Sequence, residues 1–417
     1  MSDSTRARFS HPALRMLARL AGLLRDGWLI LGISILLIGA VEVLYRAEHG
    51  LHGWLYALTS RAPARPVDLR AGEAWWAELH RAFDEFERSA AHYDSARGWW
   101  PDAYHSRWLN VGDDGLRQTI QTAAQGPARK RVFMLGGSTM WGFGVRDQAT
   151  IASQTWSLLH AEGVADVDVS NLAQFGFVLN QGVATLIREL SRGNVPTVAV
   201  FLDGVNDVSV VASGEEPGDI YNEKELRERT WQHKDGSAAV SWLADNLQLV
   251  SRLRQMRGEQ NAAERDLRHV IMGMQREDYF ESRPLSEDQI AERCDDIAGR
   301  YRNLIRVVQA AAHAYGFKAV FYWQPMLPTS QKTRGPWEQY VESTPDPVAA
   351  LLRPCLPHVR AAMAAAGEGS GFQDLSDLFD RETDDVFTDN FGHLTERATA
   401  TLAQRIERDL SGLLKGG

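Results

Sequence analysis

The chain has 417 residues, 44% of them hydrophobic and 24% charged, which is enough for one large globular domain or two modest ones. Its net charge of −9 and pI near 5.8, with no basic stripe, exclude a nucleic-acid polyanion as main partner, because phosphate binding draws on clustered Lys and Arg. The two cysteines, Cys294 and Cys355, match neither a zinc site nor a CxxC redox pair, so no metal or other cofactor is expected; one disulfide and two buried thiols both fit.

Residues 1–27 carry Arg6, Arg8, Arg15, Arg19 and Arg25, and the apolar run WLILGISILLIGAVEVLY at 28–45 follows them. That run has about the ~20 residues needed to cross a bilayer core, and the arginine bias predicts a cytoplasmic amino terminus. No A-x-A arrangement follows the run, so an uncleaved signal anchor is expected, with the rest of the chain on the extracytoplasmic side of the cytoplasmic membrane. Residues 46–125 read as a juxtamembrane linker and a lead-in subdomain. Within them Trp75, Trp76, Leu79, Phe83 and Phe86 recur at helical spacing, and 98–119 reads as short strands and turns.

From 126 to 417 short β-rich runs alternate with helical ones. Strands are predicted at 132–135, 167–172, 197–202 and 319–323, with a fifth near 372–375, which implies a parallel sheet covered by helices. An insertion at about 215–285 is charged and irregular. Ile297, Tyr301, Leu304, Ile305 and Val308 then form one helical stripe, and a last helix is predicted from about 395 to 414.

In an open parallel sheet, chemistry gathers where strands run out at their carboxyl ends. The first such loop, RVFMLGGSTMWGFG, presents Ser138 just after Gly136 and Gly137, and it matches neither GxGxxG nor GxxxxGK[ST]. The second, NLAQFGFVLNQG, places Gly176 where a backbone N–H can face a ligand. The third, VFLDGVNDV, offers the Asn206 amide, while Asp207 suits a helix cap. Near the carboxyl end, VFTDNFGHLTERA supplies His393 with Asp389 and Asn390 before it.

These four blocks, in this order, resemble the SGNH or GDSL-type hydrolase superfamily over roughly residues 130–412. The resemblance implies an α/β fold, a flavodoxin-like three-layer α/β/α sandwich with a five-stranded parallel sheet. It implies Ser138 as nucleophile, His393 as base, and an oxyanion hole from the Ser138 N–H, the Gly176 N–H and the Asn206 side chain. Two departures stand out: Gly137 occupies the usual acidic position of GDS, and Asn390, not an aspartate, lies three residues before His393. Asp389 is expected to orient the imidazole because a carboxylate also stabilises the imidazolium; Asn390 is the alternative. The expected activity is a serine esterase removing O-acetyl groups from an acylated envelope or exported polysaccharide, with Trp141 as a possible substrate contact. An O-acyltransferase using the same site, or a non-catalytic carbohydrate-binding or assembly protein, are the alternatives.

Overall fold

The computed structural model describes 68–122, 130–223 and 286–415, apart from 90, 95, 96, 165, 213, 214, 222 and 345, together with 19, 21–30, 32–34, 36–37 and 40 near the amino end. Contacts divide the chain into two units, one of Met1–Ala62 with Arg229–Ala263 and one of Pro63–Glu228 with Glu264–Gly417. The first is described only through helical residues between 19 and 40, where Leu24, Trp28, Ile30, Ile33 and Leu36 are exposed. Among the described residues no helix is long and apolar enough to cross a membrane, and much of the predicted 28–45 span lies outside them. Nearly all of the predicted 215–285 insertion also lies outside them.

The second unit is built on five parallel strands, β5 (Lys130–Gly136), β6 (Val167–Asn171), β7 (Val198–Asp203), β8 (Lys318–Trp323) and β9 (Phe372–Asp374), in the order β6-β5-β7-β8-β9. Numbered from β5, that order is 2-1-3-4-5, the flavodoxin-like one. The three central strands, β5, β7 and β8, are near-continuous apolar runs because both faces are covered, whereas the edge strands β6 (VDVSN) and β9 (FQD) alternate or are only half-buried. Along β5, Val132 and Met134 enter one core while Phe133 and Leu135 enter the other; Val200 and Leu202 oppose Ala199 and Phe201 along β7 in the same way.

One face carries α3 (Ile151–Ala161) and α9 (Glu396–Lys415), which meet through Leu159, Leu402, Ile406 and Leu410. The other carries α4 (Leu179–Ser191), α5 (Val205–Ala212), α6 (Glu287–Tyr315) and α8 (Pro347–Ala366), with Leu186, Val208, Tyr301, Ile305 and Leu352 in its core. Ser286 caps α6 by accepting from the Gln289 N–H, and Gly316 ends it at φ +78°. Of the predicted stripe, Ile297, Tyr301, Ile305 and Val308 are buried and Leu304 is half-buried. Cys294 on α6 and Cys355 on α8 form a buried disulfide, with Cα atoms 4.7 Å apart.

The lead-in residues share the first of these cores. Helix α1 (Trp76–Glu87) buries Leu79, Phe83 and Phe86; two antiparallel pairs follow, β1 (Ala91–Asp94) with β2 (Gly98–Pro101) and β3 (Tyr104–His105) with β4 (Asn110–Val111), and β4 adds Val111 beside Trp141 and Phe175. Arg117, fully buried, donates from Nε to Asp147 (2.9 Å), from Nη1 to the Gly142 carbonyl (2.6 Å) and from Nη2 to the Val145 carbonyl (2.7 Å).

Candidate active site

Strand β5 delivers the first functional group through a turn that only glycines can make. Gly136 has φ +148°, and a Cβ there would stand 2.3 Å from the Leu202 carbonyl oxygen. Gly137 is extended at φ −84°, and a Cβ there would stand 2.3 Å from Asn206 Nδ2. The acidic residue usual in GDS blocks is therefore sterically incompatible with this position of Asn206. Ser138 opens the short helix α2 (Ser138–Trp141), where a first-turn N–H has no acceptor within its own helix.

The second group arrives on the segment between β9 and α9. Phe387 and Leu394 pair across it, and the Thr388 N–H donates to the His393 carbonyl at 2.9 Å, so 388–393 folds back as a closed turn. This turn brings His393 Nε2 to 2.6 Å from Ser138 Oγ, across 255 residues of sequence. Both side chains are buried, Ser138 at 3% and His393 at 2% exposure. Asp389 Oδ2 lies 2.5 Å from His393 Nδ1, while its Oδ1 accepts from the N–H groups of Phe391 (2.9 Å) and His393 (3.3 Å). Burial alone would push the Asp389 carboxyl up; the His393 charge and hydrogen bond and those two backbone donors together hold it below its ordinary value. An ionised Asp389 can only accept, so Nδ1 carries the hydrogen and the Nε2 lone pair faces the serine hydroxyl.

Gly176 turns the loop after β6 with φ +65°. The next residue but one toward the helix, Val178, ends that loop, and the Phe177 carbonyl between them accepts from Asn206 Nδ2 at 2.8 Å. Asn206 Oδ1 in turn accepts from the Tyr221 hydroxyl at 3.3 Å. Asp207 Oδ1 accepts the Leu179 N–H at 3.1 Å and so joins the start of α4 to α5. The Gly176 loop, Asn206 and the Ser138 turn thus meet at the carboxyl edge of the sheet.

Two sequence-based expectations require correction. Trp141 is not a substrate contact: it has no exposed surface and packs between Phe86 (5.5 Å, stacked) and Phe175 (4.2 Å), with the Arg117 guanidinium over its ring at 4.3 Å. The partly exposed ring beside the imidazole is Phe143, 4.4 Å from that of His393. Asn390 does not orient His393 either. Its side chain is buried and bonds toward Asp346, with Oδ1 left unpartnered, while the Asp389 carboxylate occupies Nδ1.

Several residues around the site carry no signature in the sequence. Glu338, on α7 (Pro336–Ser343), accepts from the N–H groups of Val386 (2.9 Å) and Phe387 (3.1 Å) and pairs with the buried Lys332, anchoring the root of the His393 turn. Gln324, by contrast, follows β8 directly, at the same kind of strand-end position as the three predicted loops; it was missed in the sequence, and that placement is the signal that could have found it. Behind Asn206, both oxygens of Asp203, Asp207 Oδ2, the Tyr301 hydroxyl and Trp323 Nε1 are buried without a protein hydrogen-bond partner. Burial, and then the neighbouring Asp207, raise Asp203 well above the ordinary carboxylate value; burial raises Asp207 to about 6 against its backbone donors.

No protein-family model matches the chain, and no curated protein matches it. Solved structures overlap with it at low identity. A catalytic mutant of an acetylxylan esterase from Geobacillus stearothermophilus is 11% identical, with a TM-score of 0.35, over 69% of this chain and 96% of its own. The lipase/acylhydrolase from Enterococcus faecalis is 13% identical, with a TM-score of 0.33, over 68% and 96%. The psychrotrophic esterase EstA from Pseudoalteromonas sp. is 10% identical, with a TM-score of 0.33, over 69% and 99%. Overlaps of this size assign neither family nor activity to the chain.

Proposed function

We propose that the chain is a serine esterase of the SGNH type that removes acyl groups from an acylated envelope or exported polysaccharide. The observation that carries the reading is the continuous contact Ser138 Oγ to His393 Nε2 (2.6 Å) and His393 Nδ1 to Asp389 Oδ2 (2.5 Å). A serine hydroxyl is a poor nucleophile until a base takes its proton, and this contact supplies the base, its tautomer and a counter-charge for the imidazolium.

In the proposed reaction, Ser138 Oγ attacks the ester carbonyl carbon as His393 Nε2 takes its proton. The tetrahedral oxyanion is held by the Ser138 N–H, the Gly176 N–H and Asn206 Nδ2, and losing one such donor costs on the order of 10² to 10³ in rate. The carbonyl re-forms, the C–O bond to the alcohol breaks, and His393 returns the proton to the departing oxygen. Water, deprotonated by His393, then releases the acid and restores Ser138.

Transfer to a sugar hydroxyl uses the same acyl-enzyme and is the second reading. The enclosure of Ser138 and His393 favours it, since an acyl-enzyme screened from bulk water survives to meet a carbohydrate acceptor. We further propose that the catalytic unit lies outside the cytoplasmic membrane, held by the apolar 28–45 segment. The Cys294–Cys355 disulfide supports an oxidising compartment, and the exposed apolar side chains from Leu23 to Leu37 support burial in lipid.

The test uses the full chain in detergent with an activated acetyl ester and an acetylated polysaccharide. Ser138→Ala is expected to abolish turnover and fluorophosphonate labelling at an unchanged melting temperature. Turnover equal to wild type in that variant removes the assignment. Mass analysis of the products then separates free acetate from acetylated acceptor.

A further inference from the structure

The two halves of the reactive pair reach the site from opposite ends of the second unit, and a small closed network joins them. Gln324, 1% exposed, donates from Nε2 to Thr139 Oγ1 (3.1 Å) and to the Phe391 carbonyl (3.2 Å). Thr139 Oγ1 donates to the Gly392 carbonyl at 3.3 Å. A carbonyl can only accept, so the Gln324 atom facing Phe391 must be its NH₂. Thr139 then has to accept from that amide, which directs the threonine proton onto Gly392. The whole network has one consistent polarity.

Its members sit at telling positions. Thr139 is the residue after Ser138, and Phe391 and Gly392 are the residues before His393. Gly392 has φ +79°, and a Cβ there would stand 2.7 Å from Gln324 Nε2 and 2.8 Å from the Pro325 carbonyl, so the turn is pressed directly onto Gln324. Asp389 ties the same turn internally through the N–H groups of Phe391 and His393. The Phe391 carbonyl is given to Gln324 and the Gly392 carbonyl to Thr139, so the turn is bonded outward both to the end of β8 and to the Ser138 turn.

From this geometry we infer that Gln324 and Thr139 are positioning residues that hold the His393 turn against the Ser138 turn and so fix the distance between hydroxyl and imidazole. This rests on the esterase reading for its rate consequences, and on the hydrogen bonds alone for its structural ones. Gln324 reaches from the end of β8, next to β7 in the sheet, so the tether references both reactive turns to a rigid strand end. Neither side chain has to touch substrate.

The tests are Thr139→Val, which keeps shape and removes the hydroxyl, and Gln324→Leu, which removes the amide, each made in the full chain. Misplacing a reactive pair by about 1 Å costs on the order of 10²-fold, so kcat on an activated acetyl ester is expected to fall roughly 10- to 100-fold in each variant, with KM within about twofold. The double variant is expected to be no slower than the slower single one, because either change opens the same tether. The low-field proton resonance of His393 Nδ1–H gives a readout independent of turnover; it is expected to be sharp in the wild type and broadened in both variants. Single variants with wild-type kcat and a sharp resonance overturn the inference. So does a double variant whose loss is the product of the two single losses. A wild-type protein without turnover or labelling sinks the esterase reading instead, and the resonance still decides the tether.

Discussion

Arg117→Met places an uncharged chain of similar length where a guanidinium now makes three buried hydrogen bonds. The side chain of Arg117 has no exposed surface, and its partner Asp147 has 3%. Removing one member of such a pair costs about 3–5 kcal/mol, because the other charge is left in a low-dielectric site. Here Asp147 keeps the Asn110 N–H (3.3 Å) and Nδ2 (2.8 Å) as donors, which places the expected loss at the lower end, about 3 kcal/mol. Met preserves the packing on Trp141, so the loss measures charge and hydrogen bonding and not a cavity. For a domain of this size each kcal/mol moves the melting temperature by about 2 °C, so a fall of about 6 °C is expected. Adding Asp147→Asn in the same chain should recover part of it, since the orphaned charge is then gone. The assay is thermal unfolding of the full chain followed by tryptophan fluorescence. A melting temperature within 1 °C of wild type for Arg117→Met, by the same ~2 °C scale, would refute the reasoning. Activity should fall as well, because Arg117 holds the carbonyls of Gly142 and Val145, which bracket the ring of Phe143 beside His393.

The buried acids behind Asn206 give a pH dependence with a definite sign. Folding raises Asp207 from 3.8 to about 6, so the folded state holds more protons across that interval and stability declines as pH rises from about 4 through 6. Asp207→Asn keeps an oxygen for the Leu179 N–H and should lessen that decline in melting temperatures taken at pH 4 to 7, leaving the share of the buried Asp203; an unchanged slope would count against the assignment. Breaking the Cys294–Cys355 bridge, which closes a loop of 61 residues, is expected to cost about 4 kcal/mol on the chain-entropy account. Melting with and without reductant measures it, and Cys294→Ala should abolish the difference.

The centre of the sheet was legible because β5, β7 and β8 are covered on both faces and their composition betrays them; the edge strands β6 and β9 carry a weaker signal, being only partly buried. The observed strands Lys130–Gly136, Val167–Asn171, Val198–Asp203, Lys318–Trp323 and Phe372–Asp374 fall on the predicted runs with ends shifted by one or two residues. Ser138, Gly176 and Asn206 were singled out by a different rule, that groups at strand carboxyl ends face a common cleft, and His393 by the acid and amide just before it. Trp141 was misread because its environment is supplied from far away. A tryptophan three residues after Ser138 reads as an exposed platform until Phe83, Phe86 and Arg117 are known to cover it, and those come from the lead-in residues. Arg117 and Glu338 were illegible for the same reason: a single charged residue, whether outside a helix as Arg117 or on a short one as Glu338, has no pattern when the partners Asp147 and Val386 lie 30 and 48 residues away.

The choice between Asp389 and Asn390 shows where charge reasoning reaches further than spacing. Spacing alone favours Asn390, which stands where the resembling blocks carry an aspartate. Yet an amide presents one acceptor and cannot offset a cation, whereas the turn at 388–393 needs an acceptor for two backbone N–H groups and one imidazole N–H at once. Only a carboxylate meets all three, and Asp389 does so with Oδ1 shared by Phe391 and His393 and Oδ2 given to Nδ1. Moving the acid one residue earlier leaves one more residue in the turn. Gly392, in its left-handed conformation against Gln324, takes up part of the bend this requires. The displaced aspartate, Gly392 and Gln324 are therefore parts of one solution, and Thr139 of the GGST turn completes it from the Ser138 side.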